Sequence, residues 1–250
     1  MRSEILKTIT AFTGSAMLML VIQGCMASTE SLPAEKAFAL SASALSGSER
    51  YEFAGEVTVL DSGGVVGGRS EYKGEVTLHG KLDMQWKASG VSPASHASGH
   101  TITYRPLQLL EAFKATTATI SYVENPLPDQ PVRMQIKLDD NVAKDRVVKQ
   151  LKEEFALLRA DKGLLRGDPD EAEKILRTSE AKLQAAIDTL RVKTDCQWTA
   201  NSKSWFPSQM KEETVLNYEW DGKPCQEKRV SETNFLLKAQ GGTMKKVNQG

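Results

Sequence analysis

The sequence predicts an α+β fold: an antiparallel sheet that is apolar on one face only, covered by helices, with an antiparallel helical hairpin inserted between its two halves. Three observations predict it. Val132, Met134, Ile136 and Leu138 alternate with Arg133, Gln135 and Lys137, the period of two of a half-buried strand. Val147, Leu151, Phe155 and Leu158, then Leu176, Leu183, Ile187 and Leu190, instead repeat at helical spacing. Strand-like stretches lie on both sides of that helical block, so the block interrupts one sheet.

The first element after residue 31 is a helix. Ser31 stands as its cap, Pro33 falls inside its first turn, Phe38 and Leu45 share one side with nearby alanines, and Gly47 stops it. A meander begins at Tyr51, with Tyr51, Phe53, Gly55, Val57 and Val59 on one face. After the loose turn 62–68 the pattern Phe53-Ala-Gly-Glu-Val-Thr-Val59 returns as Tyr72-Lys-Gly-Glu-Val-Thr-Leu78. No helix follows these glycines, so they read as two similar hairpin strands and not as a phosphate loop. Leu82, Met84 and Trp86 alternate in a third strand. Residues 88–99 are rich in Ser, Ala and Gly; His96 and His100 inside them read as loop histidines and not as a metal pair, and His79 has no evident partner. Ile102 and Tyr104 mark a brief strand, and Leu107, Leu110 and Phe113 a short helix opened by Pro106. Strands near 118–122 and 132–138 are joined by a turn at 125–129.

The inserted helices span about 141–190. Asp168-Pro169-Asp-Glu171 forms a capping arrangement for the second. Asp170 with Lys174 and Glu173 with Arg177 support its exposed face. Strands then return: Cys196 and Trp198 share a face, Met210, Leu216, Tyr218 and Trp220 follow, and Asp221-Gly222 marks a tight hairpin. The charge-rich last strand, about 225–237, has the composition of an exposed edge.

Residues 8–24 form an uncharged run, slightly short for a membrane span, behind Arg2 and Lys7. It ends in Ile22-Gln23-Gly24-Cys25, which resembles the lipobox of bacterial lipoproteins, with Gln23 a departure from the usual small residue. The resemblance implies that residues 1–24 are a signal peptide, that Cys25 carries acyl chains, and that 25–31 tether one domain, 32–250, to a bilayer. The anchor would lie on the extracytoplasmic face, and Met26, which is not aspartate, points to the outer membrane where there are two.

Removing the first 24 of 250 residues leaves 226, enough for one well-cored domain. The 32 basic and 32 acidic residues of the whole chain become a net charge near −1, which argues against nucleic acid as a partner. Cys196 and Cys225 are the remaining thiols and a candidate disulfide. In a simple meander they lie two strands, about 10 Å, apart and out of bonding reach. A different pairing order, a folded-over loop at Cys225, or no bond all fit.

The lipidated cysteine, the leading helix, the one-sided meander and the helices between its halves together resemble the LolA/LppX-like lipoprotein fold. The most specific stretch is 198–235, with its Trp205-Phe-Pro-Ser-Gln-Met210 entry and Asp221-Gly-Lys223 hairpin. The resemblance implies a half-barrel sheet with a lipid or acyl chain held between sheet and helices. The candidate ligand face is then Phe53, Val57, Val76, Met84, Trp86, Met134, Ile136, Trp198, Leu216 and Tyr218, with Leu82 beside them. The expected function is non-catalytic binding of a lipid or other hydrophobic ligand, without metal or cofactor. The alternative is an envelope-structural lipoprotein that holds a partner protein through the 141–190 hairpin. A hydrolase finds little support: no Gly-x-Ser-x-Gly or His-Glu-x-x-His is present, and Glu212 and Glu213 point to opposite strand faces.

Overall fold

A computed structural model describes residues 32–77, 81–89, 107, 118–160 and 169–237. Eight antiparallel strands form one open sheet: β1 (Tyr51–Asp61), β2 (Val66–Thr77), β3 (Lys81–Ser89), β4 (Ala118–Tyr122), β5 (Val132–Leu138), β6 (Arg191–Ala200), β7 (Pro207–Trp220) and β8 (Lys223–Leu237). Their order in space is β3-β2-β1-β8-β7-β6-β5-β4. The described helices are α1 (Ala34–Ser46), α2 (Asp140–Ala160) and α3 (Pro169–Thr189). The fold is mixed α+β with a core built mostly from the sheet, and α2 and α3 are inserted between β5 and β6 as expected.

Each strand feeds that core with alternate residues. Val132, Met134, Ile136 and Leu138 of β5 are buried, as are Val192, Thr194, Cys196, Trp198 and Ala200 of β6. Helix α1 lays Ala37, Phe38, Ser41 and Leu45 on this face. Phe38 meets Trp198 edge-on at 5.4 Å, and the buried Trp198 indole donates to Ser41 Oγ at 2.8 Å, which gives a buried donor the partner it needs. Pro33 is not inside the first turn but stands at the cap position itself, two places earlier than expected, in an extended conformation with no side-chain cap bond. Pro33 has no free N–H, and its fixed backbone delivers the chain into Ala34.

The repeated Phe/Tyr-x-Gly of β1 and β2 has a packing cause. Antiparallel register sets Phe53 opposite Gly74 and Tyr72 opposite Gly55. Each ring lies across the other strand's glycine, filling the space a side chain would occupy. A Cβ on Gly74 would collide with the Phe53 ring and the Asp83 carbonyl; one on Gly55 would collide with the Tyr72 ring and the Glu232 carbonyl.

Two expectations are corrected. Strand β8 is no edge; it lies between β7 and β1 in mid-sheet. Its charges are tolerated there because the sheet's second face is wet, and they pair across strands, as Lys228 does with Glu213 at 2.8 Å. Helices α2 and α3 do not zip together as a hairpin. They touch each other lightly, and each docks on the sheet, α2 over β6 and α3 over β7. The Asp221-Gly222 turn is as expected, with φ of +50° and +72°, the pair of left-handed residues that a two-residue hairpin uses. Residues 1–31, His79, His96, His100, the brief strand at 102–104, the short helix near 106–113 (Leu107 apart) and Asp168 lie outside the described residues.

Gly55→Ala is expected to destabilise the fold by about 1–3 kcal/mol through overpacking. Gly68→Ala, whose Cβ would meet nothing within 4 Å, is expected to leave the urea midpoint nearly unchanged. Equal midpoints for the two variants would rule out the ring-over-glycine packing.

Candidate functional site

The ten residues of the predicted ligand face do share one side of the sheet and one contiguous cluster. Phe53, Val57, Val76, Met134, Ile136, Trp198 and Leu216 are buried in it, and Met84, Trp86 and Tyr218 pack against it half-buried. Most of them serve as core. Trp198 is covered by α1, Met134 and Ile136 are fully buried, and Leu82 is 44% exposed. Leu216 and Tyr218 line an apolar cleft, and that cleft lies under the other two helices.

The cleft there is about 130 Å³. Its walls are Leu151 on α2; Leu183, Ala186 and Ile187 on α3, with Leu190 just past its end; and Leu216, Tyr218 and Trp220 on β7. The helical period of α3 delivers Leu183 and Ile187 to one side, Leu190 follows at the helix end, and the alternation of β7 delivers Leu216, Tyr218 and Trp220 to the facing side. Glu227 and Arg229 of β8, bonded to each other and half-buried, make the polar part of the wall. Lys182 stands outside, 5.9 Å from the Trp220 ring centre and 2.9 Å from the Asp221 carboxylate.

Beside the cleft is a buried polar anchor that sequence reasoning missed. Arg146 of α2 forms an ion pair with Glu212 of β7, whose residue exposure is 3%. Arg146 also donates to Thr214 Oγ1 at 3.3 Å, and Thr214 donates to Glu212 at 3.0 Å. Thr194 and Thr214 hydroxyls are 2.9 Å apart, and since the Thr214 proton goes to Glu212, Thr194 is the donor. The signal was present in phase: Glu212 follows Met210 and precedes Leu216 on the apolar side of β7, and Arg146 adjoins Ala143 and Val147 on the buried side of α2. Glu213 points the other way, to Lys228, as expected of consecutive strand residues.

Cys196 and Cys225 are both free, so the candidate disulfide does not form. They lie on β6 and β8 with β7 between. Cys196 pairs with Glu212 and Cys225 with Tyr218, which adds roughly 20 Å along the strands. Burial, with Glu212 nearby, pushes the Cys196 thiol well above its ordinary range, so it is an inert core residue. Tyr51 and Tyr72 are likewise buried; desolvation raises the Tyr51 phenol to about 12 and Tyr72 above its usual range, the latter bonded to Thr233 at 2.6 Å.

A larger hollow of about 830 Å³ lies on the opposite, polar face of β1, β2, β3 and β8, between Glu56, Glu71, Lys73, Gln85, Lys87 and Glu232. Its mixed charges select no ligand class. No group of metal-ligating side chains occurs among the described residues, and none of their helices is long and apolar enough to cross a membrane. No family model and no curated protein matches the chain. Among solved structures, a tesB protein of Mycobacterium avium subspecies paratuberculosis is similar at 13% identity and a TM-score of 0.17, over 78% of this chain and 85% of that one. Nothing about the present chain follows from a likeness that slight.

Removing one member of the buried pair, as in Arg146→Met, is expected to cost about 3–5 kcal/mol, because it strands a buried carboxylate. Adding Glu212→Leu to that variant is expected to recover much of the loss in a denaturant titration. Alkaline stability follows from the buried phenols. The unfolded chain loses these protons near pH 10, and the folded chain holds them to higher pH. Their contribution is therefore complete below pH 10 and is lost as pH rises toward 12 and beyond. Tyr51→Phe should flatten the fall in melting temperature above pH 10; an unchanged slope would contradict the burial of that hydroxyl.

Proposed function

We propose that the protein is a lipid-anchored extracytoplasmic binding protein, non-catalytic, that takes an apolar segment of a lipid or other hydrophobic ligand between α2, α3 and β7. The observation that carries this reading is the cleft wall: seven aliphatic or aromatic side chains larger than alanine converge from two helices, the residue just past α3 and a strand, with the Glu227–Arg229 pair at one side for a polar end. At about 130 Å³ it is smaller than the roughly 300–1,000 Å³ of sites that enclose a whole drug-sized molecule. It suits the end of one acyl chain.

The helices are held in a way that permits more. Each docks on the sheet by itself, and ion pairs between them run from Arg159 to Glu173 and Glu180, exposed and at 3.3 Å. Such pairs are worth under about 1 kcal/mol, so the two helices hold each other weakly, and the cleft lengthens only as far as their separate docking on the sheet allows. The lipobox-like stretch ending at Cys25 supports attachment at the extracytoplasmic face of a bacterial membrane, the outer membrane where there are two, and the order of elements supports the LolA/LppX-like half-barrel reading. The second reading, an envelope lipoprotein that holds a partner protein through its helices, draws support from Leu157 and Ile175, which are exposed on α2 and α3.

The test is displacement of a fluorescent fatty acid from residues 27–250. Leu183→Trp, which fills the cleft, is expected to weaken binding about tenfold or more, while Leu157→Lys on the outer side leaves it unchanged. Unaltered binding by Leu183→Trp would remove the cleft as the site; loss only with Leu157→Lys would favour the outer helical face.

A further inference from the structure

Large exposed apolar side chains are unevenly placed on this molecule. Of the eleven among the described residues, five lie along one end of the sheet: Leu82, Val123, Leu127, Leu236 and Leu237. The register fixes that end. Leu237 pairs with Tyr51, Tyr51 with Val76 and Val76 with Leu82, while Tyr122, just before Val123, pairs with Met134 at the start of β5. The opposite end, at the β1–β2 and β7–β8 turns, carries Val65, Val66 and Trp220.

The chain enters the domain at the same end as the five. The Tyr122 hydroxyl donates to the Leu32 carbonyl at 2.6 Å, which pins the start of the domain beside β4. Six residues separate Leu32 from Cys25, a stretch whose backbone reaches at most about 25 Å. An acylated Cys25 therefore holds Leu32, and with it this end of the sheet, within about 25 Å of the membrane. The charges around Leu127 are neutralised locally: Asp129 pairs with Lys203 at 2.8 Å and Glu124 with Arg133 at 3.4 Å. That end thus combines exposed apolar side chains with paired charges that cancel, a composition compatible with a surface resting at headgroup depth.

We propose that this rim, led by Val123 and Leu127 in the β4–β5 turn and continued by Leu236 and Leu237, is a second membrane contact that seats the domain on the bilayer holding its anchor. The contact rests on the Cys25 anchor proposed above. It orients the domain with the β1–β2 hairpin pointing away from the membrane. Because the surrounding charges are paired, it does not require anionic lipid.

The experiment uses the full chain, processed and acylated in cells, in a Cys196→Ala/Cys225→Ser background. A fluorophore is placed on Leu127→Cys or on Val65→Cys, positions 59% and 65% exposed, so neither label disturbs the core. Each protein is reconstituted into phosphatidylcholine vesicles with brominated acyl chains. The label at 127 is expected to be quenched roughly twofold more than the label at 65, consistent with insertion to headgroup depth, and added salt should not release it. Equal quenching with Cys25 acylated, as read from the intact mass, would overturn the docking face alone. An unmodified Cys25 would overturn the anchor and the docking face together.

Discussion

The pairing of β1 with β8 is the constraint on which the rest of this structure depends. It runs from Tyr51 opposite Leu237 to Asp61 opposite Glu227, and it joins the first strand to the last across almost the whole described chain. Without it the molecule is two separate meanders, each too narrow to cover its own apolar face. With it, one continuous surface runs from Trp86 through Phe53, Phe235 and Trp198 to Ile136. That surface is apolar on one side only, which decides where all three helices sit and why the other side can carry so much charge.

The local grammar of the fold was legible because it is written in period and turn chemistry. Alternation located β1, β2, β5 and β7, helical stripes located α2 and α3, and Asp221-Gly222 located the β7–β8 hairpin. The order of strands was harder to read. A charge-rich strand such as β8 fits an edge, and it fits the centre of a sheet whose outer face is wet; only the long-range register separates the two. Two apolar stripes on α2 and α3 fit a helical pair and also two independent dockings on a sheet. The buried Arg146–Glu212 pair reads as two surface charges until strand and helix phases are combined. The glycines at 55 and 74 read only as repeats in two similar hairpin strands; the register is what sets an aromatic ring across each.

The helices divide the apolar face between them. Helix α1 seals one end with Phe38, Ser41 and Leu45 around Trp198, and there the surface is core. The other end, under α2 and α3, is held by the Arg146–Glu212–Thr214 network and is less tightly closed. The polar anchor of α2 lies in its first half; in its second half Phe155 and Leu158 are half-buried and Leu157 is exposed. The candidate ligand residues meet between these layers, with Leu151, Leu183 and Ile187 on the helical side and Leu216 and Tyr218 on the sheet side.

The measurement that most directly tests ligand carriage is native mass spectrometry of residues 27–250, purified from cells without detergent and then extracted with organic solvent. A stoichiometric added mass that disappears on extraction, leaving an intact chain, is the result expected if the cleft holds an acyl chain. A clean apo mass that remains apo after incubation with membrane lipids would contradict it.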